Sequence, residues 1–399
     1  MINNNLSKIN IFKKKDSKRV LYKKYAKILS IIKKEIKDRK KTLNVLDNKF
    51  KFNFKTSDLK KFKKFKKIAI IGMGGSILGA EAIHNFLQHK IKKKVYFFND
   101  LNEKKIEAFK GKNLSKILFI IISKSGNTTE TLSNVFSLKI LKKNAKNIIL
   151  ISEKFNLLHS MSKKLNLFHI EHNNNIGGRF SVLSDVGLIP AYLMGINIIK
   201  LRSNILKNLS KKNETKLKNN TIILSFLMNS EKKNNLIFLN YSPELEKFLY
   251  WCQQLIAESL GKKKRGFLPV ISNAPKDHHS LLQLYLDGPK DKIFYIFSLE
   301  KKSKEKIHLN QNLGIKSCLN KKGINEIKNA QKNALLKTLI KKDITYREFK
   351  IKNNSEESLG ELFSLFILET VFIGKILQIN PFDQPAVEQV KIYTKRLLN

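Results

Sequence analysis

Six short segments of this 399-residue chain hold residue types that could grip an anion and move a proton. In Gln253-Gln254-Leu255-Ile256-Ala257-Glu258, helical spacing puts Gln254 and Glu258 over one site. The neighbours Leu255, Ile256, Ala257 and Leu260 are apolar, and a carboxylate set in an apolar surface suits proton abstraction. Gly177-Gly178-Arg179 offers a permanently charged guanidinium from a turn whose glycines permit close approach to a ligand. His278 and His279 are adjacent, so on a helix they point about 100° apart and make a poor metal pair. In the closing stretch Asn380-Pro381-Phe382-Asp383-Gln384-Pro385, Asp383 can cap a helix and Pro385 fits its first turn. Gln384, Glu388 and Lys391 then share one helical face.

Two glycine-bearing loops complete the set. Gly72-Met73-Gly74-Gly75-Ser76 turns tightly and points amide hydrogens at an anion. Ser123-Lys124-Ser125-Gly126-Asn127-Thr128 adds hydroxyls and an amine at a helix start, which suits a dianionic phosphate monoester without a metal. Every segment also has a plain structural reading. These are a tight turn, a hydroxyl-rich cap, a solvated helix face, an arginine paired with Asp185, and a core-edge histidine.

The elements that must position these residues are legible as apolar runs. Ile68–Ile71, Val95–Phe98, Ile117–Ile122 and Ile148–Ile151 read as buried strands separated by helices. The alternation restarts with Leu236–Leu239, Phe267–Ile271, Ile293–Phe297 and Arg347–Ile351, and two helices close the chain. The expected class is α/β: two doubly wound α/β/α domains with mainly parallel sheets, plus N-terminal and C-terminal helices. Residues 1 to about 45 are polar and predict helices on the outside of a domain. The boundary between halves is expected in the Lys/Asn-rich stretch near 198–220.

Composition narrows the class. Two cysteines, Cys252 and Cys318, in no ligand spacing argue against a disulfide framework and for a reducing, cytoplasmic setting. The segment Leu359–Ile379 is interrupted by Glu361, Glu369 and Lys375, so a buried helix is expected rather than a membrane span. A formal charge of +46 raises the question of nucleic acid, and Lys60–Lys67 interleaves Phe62 and Phe65 with lysines as single-strand binders do. The lysines are nevertheless spread along the whole chain. Ile, Asn and Phe are enriched with them, which A/T-rich codons explain together, so nucleic acid is not the expected partner.

Taken in their order along the chain, from Gly72 to Lys391, the segments resemble the phosphoglucose isomerase (glucose-6-phosphate isomerase) family. The two loops resemble the paired signatures of its sugar-isomerase (SIS) domain. Gln254…Glu258-Ser259 and Gly261-Lys262 resemble its base segment, and Asn380–Lys391 its C-terminal signature. Many members carry a bulky residue where this chain has Gly126 and a polar one where it has Leu260. The resemblance implies flavodoxin-like SIS domains at 46–205 and 206–380, an N-terminal helical extension over 1–45, and a closing helix over 381–399. It implies interconversion of glucose 6-phosphate and fructose 6-phosphate through an enediol, with no cofactor and no metal. Glu258 would be the base, Arg179 the enediolate stabiliser, and His279 and Lys391 the ring openers. Gly75, Ser76, Ser123, Lys124, Ser125, Thr128, Gln254 and Gln384 would contact substrate. His279 would come from a second subunit, making a homodimer with shared sites. A dual phosphoglucose/phosphomannose isomerase and a non-catalytic SIS sugar-phosphate sensor are the alternatives.

Overall fold

A computed structural model describes residues 2–4, 15–229, 233–309 and 317–398. Of the expected N-terminal extension, residues 1 and 5–14 lie outside that range. Among the described residues there are ten strands. They are β1 (Ile2–Asn4), β2 (Lys67–Ile71), β3 (Lys94–Phe98), β4 (Ile117–Ile122), β5 (Ile148–Ser152), β6 (Phe168–Glu171), β7 (Asn235–Asn240), β8 (Leu268–Asn273), β9 (Lys292–Leu299) and β10 (Tyr346–Ile351). The first sheet is wholly parallel, in the order β3-β2-β4-β5-β6. The second runs β1-β10-β9-β7-β8 and is parallel except for β1, which lies antiparallel along its edge. The apolar runs account for seven of these strands, and the mixed stretch Arg347–Ile351, a weaker candidate, for an eighth. β4 is buried at every residue, as expected for a central strand covered on both faces.

In the first sheet the chain runs from β2 to β3 on one side, then crosses back to β4 on the other. That reversal opens a crevice beyond the carboxyl ends of β2 and β4, where doubly wound sheets take their ligands. The loops leaving those two strands are Gly72–Ser76 and Ser123–Thr128. Sheet topology therefore brings together two loops that lie about fifty residues apart in the sequence.

One continuous apolar core fills the space between the sheets. It takes Ile68, Ile70 and Leu118 from the first sheet and Phe238, Tyr295 and Phe349 from the second. Smaller clusters lie under the outer helices of each sheet. The helices Leu78–Phe86 and Glu246–Leu260 pack against each other inside this shared core. The helix Lys15–Lys37 turns Tyr25, Ile28, Ile32 and Ile36 into it, with Tyr25 stacked on Phe372 at 4.7 Å. Phe372 belongs to the helix Glu356–Ile376, which is buried over most of its length. No helix among the described residues is long and apolar enough to cross a membrane.

Phe62 is buried and Phe65 packs against the core, so the rings of the basic Lys60–Lys67 segment are used internally rather than offered to bases. The stretch near 198–220, where the boundary between halves is expected, is largely helical. Ile198–Ser203 and Lys211–Asn229 both pack on Glu356–Ile376.

Candidate active site

The site begins with two glycine turns that interlock. Gly74 takes φ +51°, a left-handed conformation open to glycine. A Cβ on Gly75 would lie 2.1 Å from the Gly178 carbonyl carbon and 2.4 Å from the Arg179 nitrogen. Bare backbone on both sides is what lets the first loop meet the turn that carries Arg179. A Cβ on Gly74 would lie 2.8 Å from Gln254 Nε2, so the helix Glu246–Leu260 also meets this loop.

Arg179 is 3% exposed and makes five hydrogen bonds, matching its five N–H donors. Its Nε donates to Ser259 Oγ (2.8 Å), and one terminal nitrogen donates to Glu258 Oε2 (3.1 Å) and Gln384 Oε1 (2.9 Å). The other terminal nitrogen donates to the carbonyls of Pro381 (2.7 Å) and Asp383 (2.9 Å). One side chain thereby ties three separate segments into a single site. Burial lowers its pKa from the ordinary value and Glu258 pulls it back up, so the guanidinium stays charged. Asp185, the loop carboxylate considered as its partner, accepts instead from the Asn53 amide at 2.7 Å.

Glu258 has both oxygens engaged: Arg179 on Oε2 and Gln254 Nε2 on Oε1 at 2.9 Å. The apolar flank expected from the sequence is real, since Leu255, Ile256 and Leu260 are core residues. The carboxylate itself leaves that flank for an ion pair. Gln254 Oε1 is buried and has no hydrogen-bond partner among the described residues, which leaves an acceptor free beside Glu258.

In the second loop, Ser123 Oγ and Thr128 Oγ1 lie 3.0 Å apart, and Ser125 is exposed with its Oγ 3.4 Å from the Asn127 amide. Thr128 stands at the N-cap of the helix Thr129–Ser137 but makes no side-chain cap bond. Its hydroxyl faces Ser123 instead. Lys124 Nζ donates to the Asn174 carbonyl (2.7 Å) and lies 3.6 Å from Glu153, so its amine is held by neighbouring loops. Gly126 has φ +68°, and a Cβ there would fall 2.2 Å from Asn156 Oδ1. Any side chain here would meet Asn156 and would hold the backbone in a left-handed conformation that favours glycine.

Two sequence candidates are not drawn in. His279 is exposed at the end of a short 3-10 helix, Lys276–His279, and no hydrogen bond among the described residues links it to Glu258 or Arg179. Its neighbour His278 has the settled position, with Nε2 2.7 Å from the Tyr241 hydroxyl. Lys391 pairs with Glu388 at 2.7 Å on the helix Glu388–Leu398, which has no buried residue. Its apolar residues Val390, Ile392, Tyr393, Leu397 and Leu398 are all exposed. Ser76 lies half-buried in the first loop. Reasoning from sequence missed Ser259 as the partner of Arg179, and it gave no role to Lys262, which binds the closing turn. Adjacency to Glu258 and Gly261 was the available signal. No group of three or more His, Cys, Asp or Glu able to hold a metal occurs among the described residues.

The family model for phosphoglucose isomerase matches residues 9–273. The chain is 33% identical to the glucose-6-phosphate isomerase of Methanocaldococcus jannaschii over 355 residues, covering 86% of this chain and 87% of that one. It is 32% identical to that of Campylobacter jejuni over 378 residues, covering 90% of each. Among solved structures, a hypothetical protein of Thermus thermophilus superposes with a TM-score of 0.82 at 24% identity, over the whole of both chains. A glucose-6-phosphate isomerase of Chlamydia trachomatis gives 0.69 at 20% identity, covering 85% of this chain and 71% of that one. At those identities the two structures speak for the fold. The family model and the two sequence relatives speak for descent, and the chain belongs to the phosphoglucose isomerase family.

Proposed function

We propose that this protein interconverts glucose 6-phosphate and fructose 6-phosphate by way of a cis-enediol. The observation that carries the reading is Glu258, held between Arg179 and Gln254 beside the first glycine loop. Glu258 takes the proton from C2 of the aldose and returns it to C1, while the hydroxyl proton passes between O2 and O1. Arg179 faces the charge that develops on those oxygens. Because its donors are committed within the protein, it acts through its fixed charge in a buried setting rather than through a new hydrogen bond. The hydroxyls of Ser123, Ser125 and Thr128, with the amides of the loops and Gly75 and Ser76 nearby, would hold the phosphate. Lys124 and Gln384 would lie at the edge of that pocket.

His279 and Lys391 would open the sugar ring. Both stand exposed on one chain, and the closing helix has an uncovered apolar side, which supports a homodimer that completes each site. The proposal includes domain limits of 46–205 and 206–380 and a cytoplasmic setting. The latter rests on Cys252 and Cys318, both unpaired. The relatives' names favour the phosphoglucose reaction over mannose 6-phosphate and over a sensor without catalysis. A coupled assay with fructose 6-phosphate tests the reading. Wild-type protein should turn over, and Glu258→Gln should lose about 10²–10⁴-fold in kcat while still binding the sugar phosphate. A variant retaining half its activity would remove Glu258 as the base.

A further inference from the structure

The helix bearing Glu258 ends at Leu260, and a Cβ on the next residue, Gly261, would lie 2.6 Å from the Ala257 carbonyl. Glycine therefore lets the chain double back at this point. The amide of Lys262 then donates to the carbonyls of Leu260 (2.8 Å) and Arg265 (3.0 Å), which fixes its backbone. Its side chain is only 14% exposed, low for a lysine. Its Nζ donates to the Asn380 carbonyl, the Asp383 carbonyl and the Asp383 carboxylate, each at 2.6 Å. Those three contacts use all three donors of an ammonium group.

All three acceptors lie in the turn Asn380–Asp383, the turn that Arg179 grips from its other side. Asp383 O accepts from both cations, Lys262 at 2.6 Å and Arg179 at 2.9 Å. The turn has its own internal bonds, Asn380 Nδ2 to Asp383 Oδ2 and the Phe382 amide to Asn380 Oδ1. Beyond it, the helix Glu388–Leu398 buries nothing. The turn is thus the anchor for Gln384 and for everything that follows it. The Lys262 ammonium also holds the Asp383 carboxyl below the usual carboxylate range.

We propose that Lys262 is a positioning residue, a latch that fixes the closing turn to the end of the base-bearing helix. Latched, the turn keeps Gln384 Oε1 on the Arg179 nitrogen that also serves Glu258, and it sets where Lys391 starts from. Unlatched, the turn keeps the Arg179 bonds to its carbonyls and the packing of Phe382 on Phe180 and the core. The catalytic readout rests on the isomerase function proposed above; the exchange readout does not.

The test compares Lys262→Met, Lys262→Arg and Asp383→Ala with the wild-type chain in steady-state turnover of fructose 6-phosphate and in amide hydrogen exchange over residues 380–398. Lys262→Met should lower kcat about tenfold or more, change KM less than about threefold, and speed exchange across 380–387. Lys262→Arg should recover part of both, because a guanidinium can reach the same acceptors. The double variant Lys262→Met with Asp383→Ala should lose less than the product of the two single losses. Should Lys262→Met fail to fold, Asp383→Ala removes an exposed half of the latch and carries the test alone. Wild-type kcat in Lys262→Met, or reduced kcat with unchanged exchange over 380–387, would overturn the latch. A wild-type chain that does not isomerise would refute the function, leaving the latch to be judged on exchange.

Discussion

At the scale of single residues, charge and bare backbone do different jobs in this site. Arg179 supplies cohesion, because five charge-assisted bonds from one buried group join the segments at 258–259, 381–384 and its own turn. Gly75 supplies proximity. A Cβ 2.1 Å from Gly178 cannot be accommodated by a side-chain shift, because the atom it meets is backbone. Gly75→Ala should therefore separate the first loop from the Arg179 turn, lowering kcat/KM by at least about tenfold with a falling melting temperature. Normal kinetics in that variant would mean the two turns need not touch. The hydroxyl loop makes a prediction of another kind, since Ser125 and Thr128 are proposed to bind the phosphate and to do no chemistry. Removing both hydroxyls should cost about 1.5–3 kcal/mol per lost bond to a charged phosphate, read mainly in the Michaelis constant. An unchanged Michaelis constant would take this loop out of the phosphate site. Glu258, Arg179 and the loops could be singled out from residue type and spacing, because each sits in a short local motif, whereas the roles proposed for them came from the family resemblance. The partners of Arg179 were not readable, since three of its five bonds end in Pro381, Asp383 and Gln384, about two hundred residues away.

At the scale of elements, continuous apolar runs betrayed the central strands, the mixed β10 was legible only as a weaker candidate, and the short β1 and β6 escaped. β4 is six apolar residues in a row, whereas β6 reads Phe-His-Ile-Glu and is only partly buried, so it carries no continuous run. β1 spans three residues and is defined by pairing with β10 rather than by its own pattern. The end of β6 also carries a pH dependence that follows from burial. His172 comes directly after it, buried, with Nδ1–H donating to the Asn173 carbonyl at 2.8 Å. Burial, the largest cause, lowers its pKa from 6.5 to about 4, and the Lys124 ammonium adds to the effect. A histidine with a depressed folded pKa binds fewer protons folded than unfolded. Its contribution to stability is therefore full above about pH 6.5 and is lost as pH falls toward about 4. His169, lowered to about 4 chiefly by burial and then by His159, acts in the same window. Urea midpoints should drop between pH 7 and pH 4.5, and His172→Asn should flatten that drop by up to about 2–3 kcal/mol. A variant as acid-sensitive as the parent would show that the loss comes from other groups. Because Lys124 joins this strand's loop to the second glycine loop through Asn174, acid should weaken substrate binding before it unfolds the chain.

At the scale of the whole molecule, two features exceed what one folded chain needs. The first is a formal charge of +46, spread along the sequence, which should draw a dianionic sugar phosphate toward the crevice. Raising ionic strength should then lower kcat/KM and leave kcat nearly unchanged; a salt-independent kcat/KM would leave the charge without a part in catalysis. The second is the closing helix, whose Val390, Ile392, Tyr393, Leu397 and Leu398 lie open to solvent, together with an exposed His279. Both are accounted for if two chains build two sites in common, with His279 of each serving the Glu258 of the other. Glu258→Gln protein and His279→Ala protein should each be inactive alone. When they are mixed and allowed to exchange subunits, each mixed dimer holds one intact site and one site damaged twice. Random exchange makes half of the dimers mixed, so an equimolar mixture should recover about a quarter of the wild-type activity. Native mass spectrometry can confirm that exchange has occurred. If mixed dimers form and activity stays at zero, each chain builds its own site, and His279 is not supplied by a partner. If the protein stays monomeric at assay concentration yet is active, shared sites are excluded and His279 is not supplied by a partner.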